Sequence, residues 1–537
     1  GAKHGVTGDG TVTVTNEAGG IILGRNGSGI NVDSTGDTIV SVTNYGTIRG
    51  AVTGLLDDDE DTADGTPDGD GDGVDVDGRL ILHNYGLIQG TGATGTNDGD
   101  PNTADGIAAG GGLIHNHAGA TIQAFDNYAN EGQDNVGRAI LIDDSSQGPA
   151  PFATTLINEG AVISDGVAVT FIGDNDDVIV NAGVISSADA KAVDMGGGDD
   201  LFVYRSGSKV TGYVTGGDGD NTFELGGSGS FNLGLLGDAA QYRDFGTLLI
   251  GEGASFTGTG SSDFAGAVVV DGSFVLNGAL PSAALTIANG ATLGGNATLG
   301  SLTVGKGGTV TPGNSIGTIT VNGTATFDTG STYVVEFNQT SSDRIVADTS
   351  AINGGTVMLS SEGGPLNAGA VYTIVSADAT TTPDGQFDGI TMAQDFLFID
   401  PTLGRDGASV TLTLERNGTS FASLAQTANQ RSVANAIELA NGGLLQSTVF
   451  AATAGEQAAI VQGFDLLSGE VHASVGTTLY YQSTLVADTL VGRLRQASAA
   501  GASPAMAALA SGGPVTAYAA KAPREPVGPV YATWAQG

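Results

Sequence analysis

The feature that most constrains this chain is a short phrase that returns six times in its first two hundred residues. It reads TNEAGGII from Thr15, TNYGTI from Thr43, HNYGLI from His83, HNHAGATI from His115, INEGAVI from Ile157 and VNAGVI from Val180. Each copy sets an asparagine (Asn16, Asn44, Asn84, Asn116, Asn158, Asn181) at the end of an extended run, then a glycine, then an isoleucine that re-enters a strand. Asparagine and glycine tolerate the left-handed backbone of a sharp corner, and stacked asparagine side chains can hydrogen-bond along a ladder of equivalent turns. A further strand precedes the later corners, at GINV from Gly29, GVDV from Gly73, GIAA from Gly106, AILI from Ala139, GVAV from Gly166 and KAVDM from Lys191. A rung without insertions therefore takes roughly 20 to 25 residues, and its apolar face is buried only when rungs stack. The expected fold is all-β: a right-handed parallel β-helix.

Residues 1–230 carry these asparagine corners, and residues 231–415 continue the helix in shorter, glycine-punctuated copies such as AALTIANGATLGG and TITVNGTATFDTG. Short alternations of Val, Ile or Leu with Thr or Ser between such turns are strand patterns. Glycine is abundant (89 residues), yet hydrophobic residues still reach 40%, enough to bury a core rather than leave the chain disordered. Beyond Arg416 the pattern changes to Ala, Leu and Gln with apolar spacings of three and four, predicting two or three amphipathic helices within 416–498. Residues 499–537 have a linker composition and end on PVYATWAQG, an alternating aromatic strand.

A formal charge of −40 sets aside nucleic acid and anionic lipid as partners and makes divalent cations the natural counterion. With no cysteine, disulfides and thiol catalysis are excluded. No apolar run reaches the roughly twenty residues of a membrane helix.

The run TVTPGNSIGTITVNG, followed by STYVVEFN, SDRIVAD, AVYTIVSA, FLFIDPTL and VTLTLERNG, resembles the end of a type V (classical) autotransporter passenger. FASLAQTANQRSVANAIE and FDLLSGEVHASV are similar to the helical region before the translocator barrel, and YATWAQG to that barrel's first strand. The resemblance implies a Gram-negative outer-membrane origin, folding-assisting last rungs, attachment through the chain's own barrel and display at the cell surface. It implies no particular activity, since similar scaffolds carry adhesins, proteases and esterases.

Function must then come from residues. The GNSIG at Gly313 matches the G-x-S-x-G elbow of esterases, but IGTITVNG after Ser315 is β-branched, so no helix can begin there, and the only downstream histidine is His472. We therefore expect Ser315 to be a corner residue and assign no catalytic group. His83 and His115 precede corner asparagines in adjacent rungs with His117 close by; a shared metal is conceivable, a polar ladder the commoner explanation.

Aspartates are the unusual feature. From Asp57 the chain runs DDDEDTADGTPDGDGDGVDVDG, and Asp68 to Gly73 has the D-x-D-x-D-G spacing of calcium loops, although Arg79 stands where an EF-hand has its last glutamate. Asp68, Asp70, Asp72, Asp75 and Asp77 are the candidate calcium ligands. The acidic insertions of three successive rungs all follow the re-entering isoleucine segment, so they should leave one corner side by side. That corner would carry Asp57, Asp58, Asp59, Glu60, Asp61, Asp98, Asp100, Asp126 and Asp134 as an interaction patch, against the plainer reading of a solvated acidic surface. A second group, GDNDDVIVN, GGGDDLFVY and GGDGDNTFEL, is expected to form β-helix turns. The leading expectation is a surface-displayed passenger acting in adhesion or surface interaction with a protein or glycan ligand. The alternatives are a β-helix polysaccharide hydrolase or lyase and a structural stalk or assembly subunit.

Overall fold

The computed structural model describes residues 3–33, 38–52, 70–93, 96–97, 100–101, 103–125, 137–146, 148–440 and 442–499. Three strands make a rung. The strands that run into the corner asparagines (Val12–Asn16, Ile39–Asn44, Arg79–Asn84, Gly112–Asn116, Thr154–Asn158, Val178–Asn181) pair in parallel, rung on rung, with the six asparagines in one register column. The strands leaving the corner form a second parallel stack (Ile21–Leu23, Thr47–Arg49, Leu87–Thr91, Thr121–Phe125, Ala161–Ser164). A third stack holds Val6–Asp9, Ile30–Asp33, Val74–Val76, Ile107–Ala109, Ile140–Ile142 and Val169–Phe171. This is a parallel β-helix, as the repeat requires. In Val184–Asp194, where nothing is inserted, the second and third strands run together, with register shifts on either side of Lys191.

Alternation decides what fills the interior. In Ile39–Asn44 and Arg79–Asn84 every second side chain is buried, so Val40, Val42, Leu80 and Leu82 point inward and stack on Ile114, Leu156 and Ile179. Phe171 is the single buried aromatic before residue 200 among the described residues; from Phe202 onward aromatic rings join the Val, Ile and Leu of the core. Phe202 and Phe223 stack on consecutive rungs with centroids 5.8 Å apart, and Tyr242 packs 4.6 Å from Phe223.

The corner glycines need a different explanation from the left-handed backbone expected of them. Gly46, Gly86, Gly160 and Gly183 do not have positive φ; a Cβ there would collide with the carbonyl oxygen of the equivalent residue one rung below. They are glycines because the rungs approach so closely. Only in the two copies with two extra residues, at Gly19 (φ 77°) and Gly119 (φ 85°), does the turn itself call for left-handed backbone.

Parallel stacking ends at Ala370–Thr380, where Ser409–Arg416 pairs antiparallel with it and with Ile399–Asp406, closing the sheet edge with a hairpin turned at Gly407. Four α-helices follow where two or three were expected: Ala428–Leu439, Leu444–Phe450, Gln457–Leu467 and Glu470–Ala499. Gly442, Gly443 and Gly469, all at positive φ, make the extra breaks. The chain forms two compact units, 1–464 and 465–537. In the first, Phe421 packs edge-on against Phe398 at 4.8 Å, and Arg416 lies over the Phe421 ring while pairing with Glu438 at 2.8 Å. In the second, Glu470–Ala499 leaves Leu479, Leu485, Leu490 and Leu494 exposed.

Candidate functional site

Beneath everything at the corner lies a spine of amides. Asn16 donates to Asn44 (2.8 Å), Asn44 to Asn84 (2.8 Å), Asn84 to Asn116 (2.9 Å), Asn116 to Asn158 (2.9 Å) and Asn158 to Asn181 (2.8 Å). Ser208 ends the series by accepting from Asn181 at 2.7 Å. Each amide except the last also donates to a backbone carbonyl of the next rung, as Asn44 does to Leu87 at 3.1 Å. All six are buried. The asparagines hold the corner and offer nothing to a ligand.

On the third strand stack the side chains that point outward are largely acidic. Asp9 lies beside Asp33, and Asp77 follows one rung on. Asp75 pairs in register with Asn31 and Ala108. Where the insertions enter, Asp70, Asp72, Asp75, Asp77, Asp105 and Asp143 line a cavity of about 260 Å³, with Arg138 in its wall. Asp72 and Asp105 occupy the same place in successive rungs, each just before the Gly that opens the strand. The Asp72 carboxylate accepts from the Asp105 amide at 2.6 Å, and Asp105 in turn accepts from the Arg138 amide (3.0 Å) and guanidinium (3.3 Å).

Six carboxyl groups face one guanidinium in this cavity. Burial first, and then Asp70, Asp105 and Asp75, hold the Asp72 carboxyl well above the usual range. Asp75 is raised strongly as well, by burial and by Asp70, Asp77, Asp33 and Asp143; Asp77 is raised by burial and Asp33. A bound cation would relieve the mutual repulsion that helps to raise these carboxyls. The carboxylates ring the cavity without closing into a cage: among the described residues, only a histidine trio brings three ligand atoms within 4.8 Å of one another.

Of the expected calcium ligands, four (Asp70, Asp72, Asp75, Asp77) share this cavity, and Asp68 lies outside the described residues. Asp105 and Asp143 were not foreseen. The signal existed for Asp105, because DGI at Asp105 repeats DGV at Asp72. In the interaction patch, Asp57, Asp58, Asp59, Glu60, Asp61, Asp98, Asp126 and Asp134 lie outside the described residues; Asp100 starts a two-residue strand paired with Thr96–Asn97. The loop stems are described, and they stack: Val52 donates to Thr91 at 3.1 Å, and Thr91 pairs in register with Phe125.

The other aspartate group forms stacked turns. Thr154 donates to Asp177, Asp177 to Asp200 (2.8 Å) and Asp200 to Asn221 (2.9 Å), each through its backbone amide to the side chain one rung on. A parallel outer series runs Asp199 to Asp176 and Asp220 to Asp199. Burial lifts Asp177 to about 6 and Asp200 to about 7.

Ser315 sits in the turn between strands Thr309–Pro312 and Thr318–Phe327, so a strand follows it where an elbow would have a helix. Its hydroxyl bonds the exposed Glu362 carboxylate. The turn is tied down by Asp343, which accepts from Gly317 (2.8 Å) and Glu336 (2.8 Å) and which burial raises to about 7.

No family model matches the chain. Two curated relatives, both named extracellular serine protease and both from Serratia marcescens, are 31% identical over 223 residues and 29% identical over 224. Each match covers 32% of this chain and 21% of the relative, so the chain spans about a fifth of the length of these proteins.

Proposed function

We propose that this chain is an exported autotransporter passenger whose β-helix is a rigid stand for an acidic, cation-loaded corner used in adhesion or another surface interaction. Its export is supported by relatives named as extracellular proteins of a Gram-negative bacterium and by the last rungs that resemble a passenger's end. The observation that carries the rest is the cavity itself: six carboxylates from successive rungs gathered in one cavity. Calcium, a hard cation that takes six to eight oxygens, is the ion such a basin would hold, with water completing its shell. Asp70, Asp72, Asp75 and Asp77 would be the principal ligands.

The relatives' protease activity is named for proteins of which this chain matches a fifth. Here Ser315 bonds a glutamate, and the ring partners found for the β-helix histidines are a backbone amide for His4 and one another for His83 and His117. Polysaccharide cleavage would need two close carboxylates beside exposed aromatic faces; the exposed Tyr45–Tyr85 stack at the corner is continued by histidines instead.

The test is a calcium titration of the purified chain by calorimetry and thermal melting. Binding and a rise in melting temperature are expected, both lost in the Asp72→Asn/Asp75→Asn double variant. No bound ion and no shift would remove the calcium reading. For the interaction, cells displaying the chain should settle together or adhere in calcium and disperse in chelator. Equal adherence with and without the segment 53–69 would refute a role for the corner.

A further inference from the structure

Two register columns flank the asparagine spine. The residue before each asparagine gives Thr43, His83, His115 and Ile157; the residue after it gives Tyr45, Tyr85, His117 and Glu159. Three imidazoles and a carboxylate from three consecutive rungs therefore stand on one corner. His83 Nδ1 lies 3.3 Å from His117 Nε2, and one ring nitrogen from each of His83, His115 and His117 falls within 4.8 Å of the other two. His115 Nε2 is shielded from solvent without a hydrogen-bond partner, and its nearest charged neighbour is the Glu159 carboxylate at 3.5 Å.

We infer that His83, His115 and His117, with Glu159 as the fourth ligand, form a binding site for a borderline divalent metal of the zinc class. Imidazole nitrogen and carboxylate oxygen are the donors zinc takes when thiolates are absent, at about 2.0 to 2.2 Å and in tetrahedral array. Two ligands at that distance in that geometry are separated by about 3.3 Å, which is where His83 and His117 already stand. The backbone needs no adjustment there, because the asparagine spine and the parallel ladders fix the three rungs against one another. His115 and Glu159 need only side-chain rotation, and the 3.5 Å gap between them is the space into which they would turn.

The rings also pack against one another. His115 and His117 stack at 3.5 Å, and Tyr85 covers the other face of His117 at 3.9 Å, so His117 is clamped between rings. Stacking alone would be served by tyrosines, as it is at Tyr45–Tyr85. What histidine adds is a lone pair on each ring. The acidic cavity is a separate matter: it belongs to the outward face of the third strand stack and offers oxygens only.

The experiment uses untagged protein, with calcium present in excess so that the carboxylate cavity does not report. One zinc per chain should be retained against a weak chelator in native mass spectrometry, and cobalt in its place should give the strong visible absorption of a tetrahedral site. His117→Ala and His83→Ala should each weaken zinc binding at least about tenfold, while His4→Ala and His472→Ala should leave it unchanged. Metal-free melting of each variant at the wild-type temperature shows that it folds; should His117→Ala fail that check, His115→Gln and Glu159→Gln carry the comparison. Zinc lost to the weak chelator by the wild type, or retained equally by the His83 and His117 variants, would overturn the assignment.

Discussion

The two halves of the β-helix solve one problem with different chemistry. Before residue 200 the rungs are tied at a corner by buried amides around an aliphatic interior, and the same half carries the acidic cavity and the histidines. After residue 200 the amide spine stops at Ser208, phenylalanine and tyrosine join the aliphatic core, and strands lengthen to spans such as Ser273–Ile287. The difference teaches that directional amide bonds can hold successive rungs in register at one corner, whereas the later half adds large rings to its packing.

The contrast can be broken most directly in the core. Phe223→Ala should cost about 3–5 kcal/mol in denaturant unfolding, since it empties a ring that contacts Phe202, Phe231, Tyr242 and Phe245. Asn84→Ala should cost less, on the order of 2 kcal/mol, by stranding the Asn44 donor and the Asn116 acceptor in the interior. Limited proteolysis of that variant should trim the N-terminal rungs and spare residues beyond about Phe202. Joint loss of both halves would show that the spine is not a local device.

A smaller effect follows from the turn ladder that joins the halves. The folded chain keeps protons on Asp177 and Asp200 up to about 6 and about 7, while the unfolded chain releases them near the ordinary aspartate value of 3.8. Folded protein binds more protons over that window, so the two groups make stability fall as pH rises from about 4 to about 7, with the full penalty above it. Asp200→Asn copies the residue that stands one rung on, Asn221, and should flatten this slope and melt higher than wild type at pH 8. An unchanged slope would mean that the carboxyl is ionised in the fold.

The smallest change is expected at Arg405, on the C-terminal hairpin, whose guanidinium nitrogens are shielded without hydrogen-bond partners among the described residues. Arg405→Met should be neutral or stabilising by about 1 kcal/mol in the same unfolding assay. A marked loss would reveal a partner for this charge.

Much of the architecture was legible because it is written in local terms. A period-two alternation bounded by Asn and Gly names a strand and its corner wherever it occurs, and six copies name a solenoid. The helical segment was equally plain, its count aside, since glycine breaks are easy to underweight against apolar spacing. The candidate sites were legible only in part. Asp70, Asp72, Asp75 and Asp77 announce themselves as a run, but Asp105 and Asp143 join them from later rungs.

What the sequence determined by itself was the rung: which residues extend, which turn and which face inward, all consequences of steric and hydrogen-bonding preferences over a few residues. What only the tertiary structure decided was which rungs' side chains meet. The corner asparagines are 28, 40, 32, 42 and 23 residues apart, yet stack as neighbours, because the parallel ladder on either side of each variable-length segment keeps one register. His83 and His117, 34 positions apart, reach each other for that reason. The ladder selects register by burial and backbone bonding, and distance along the chain carries no memory of it.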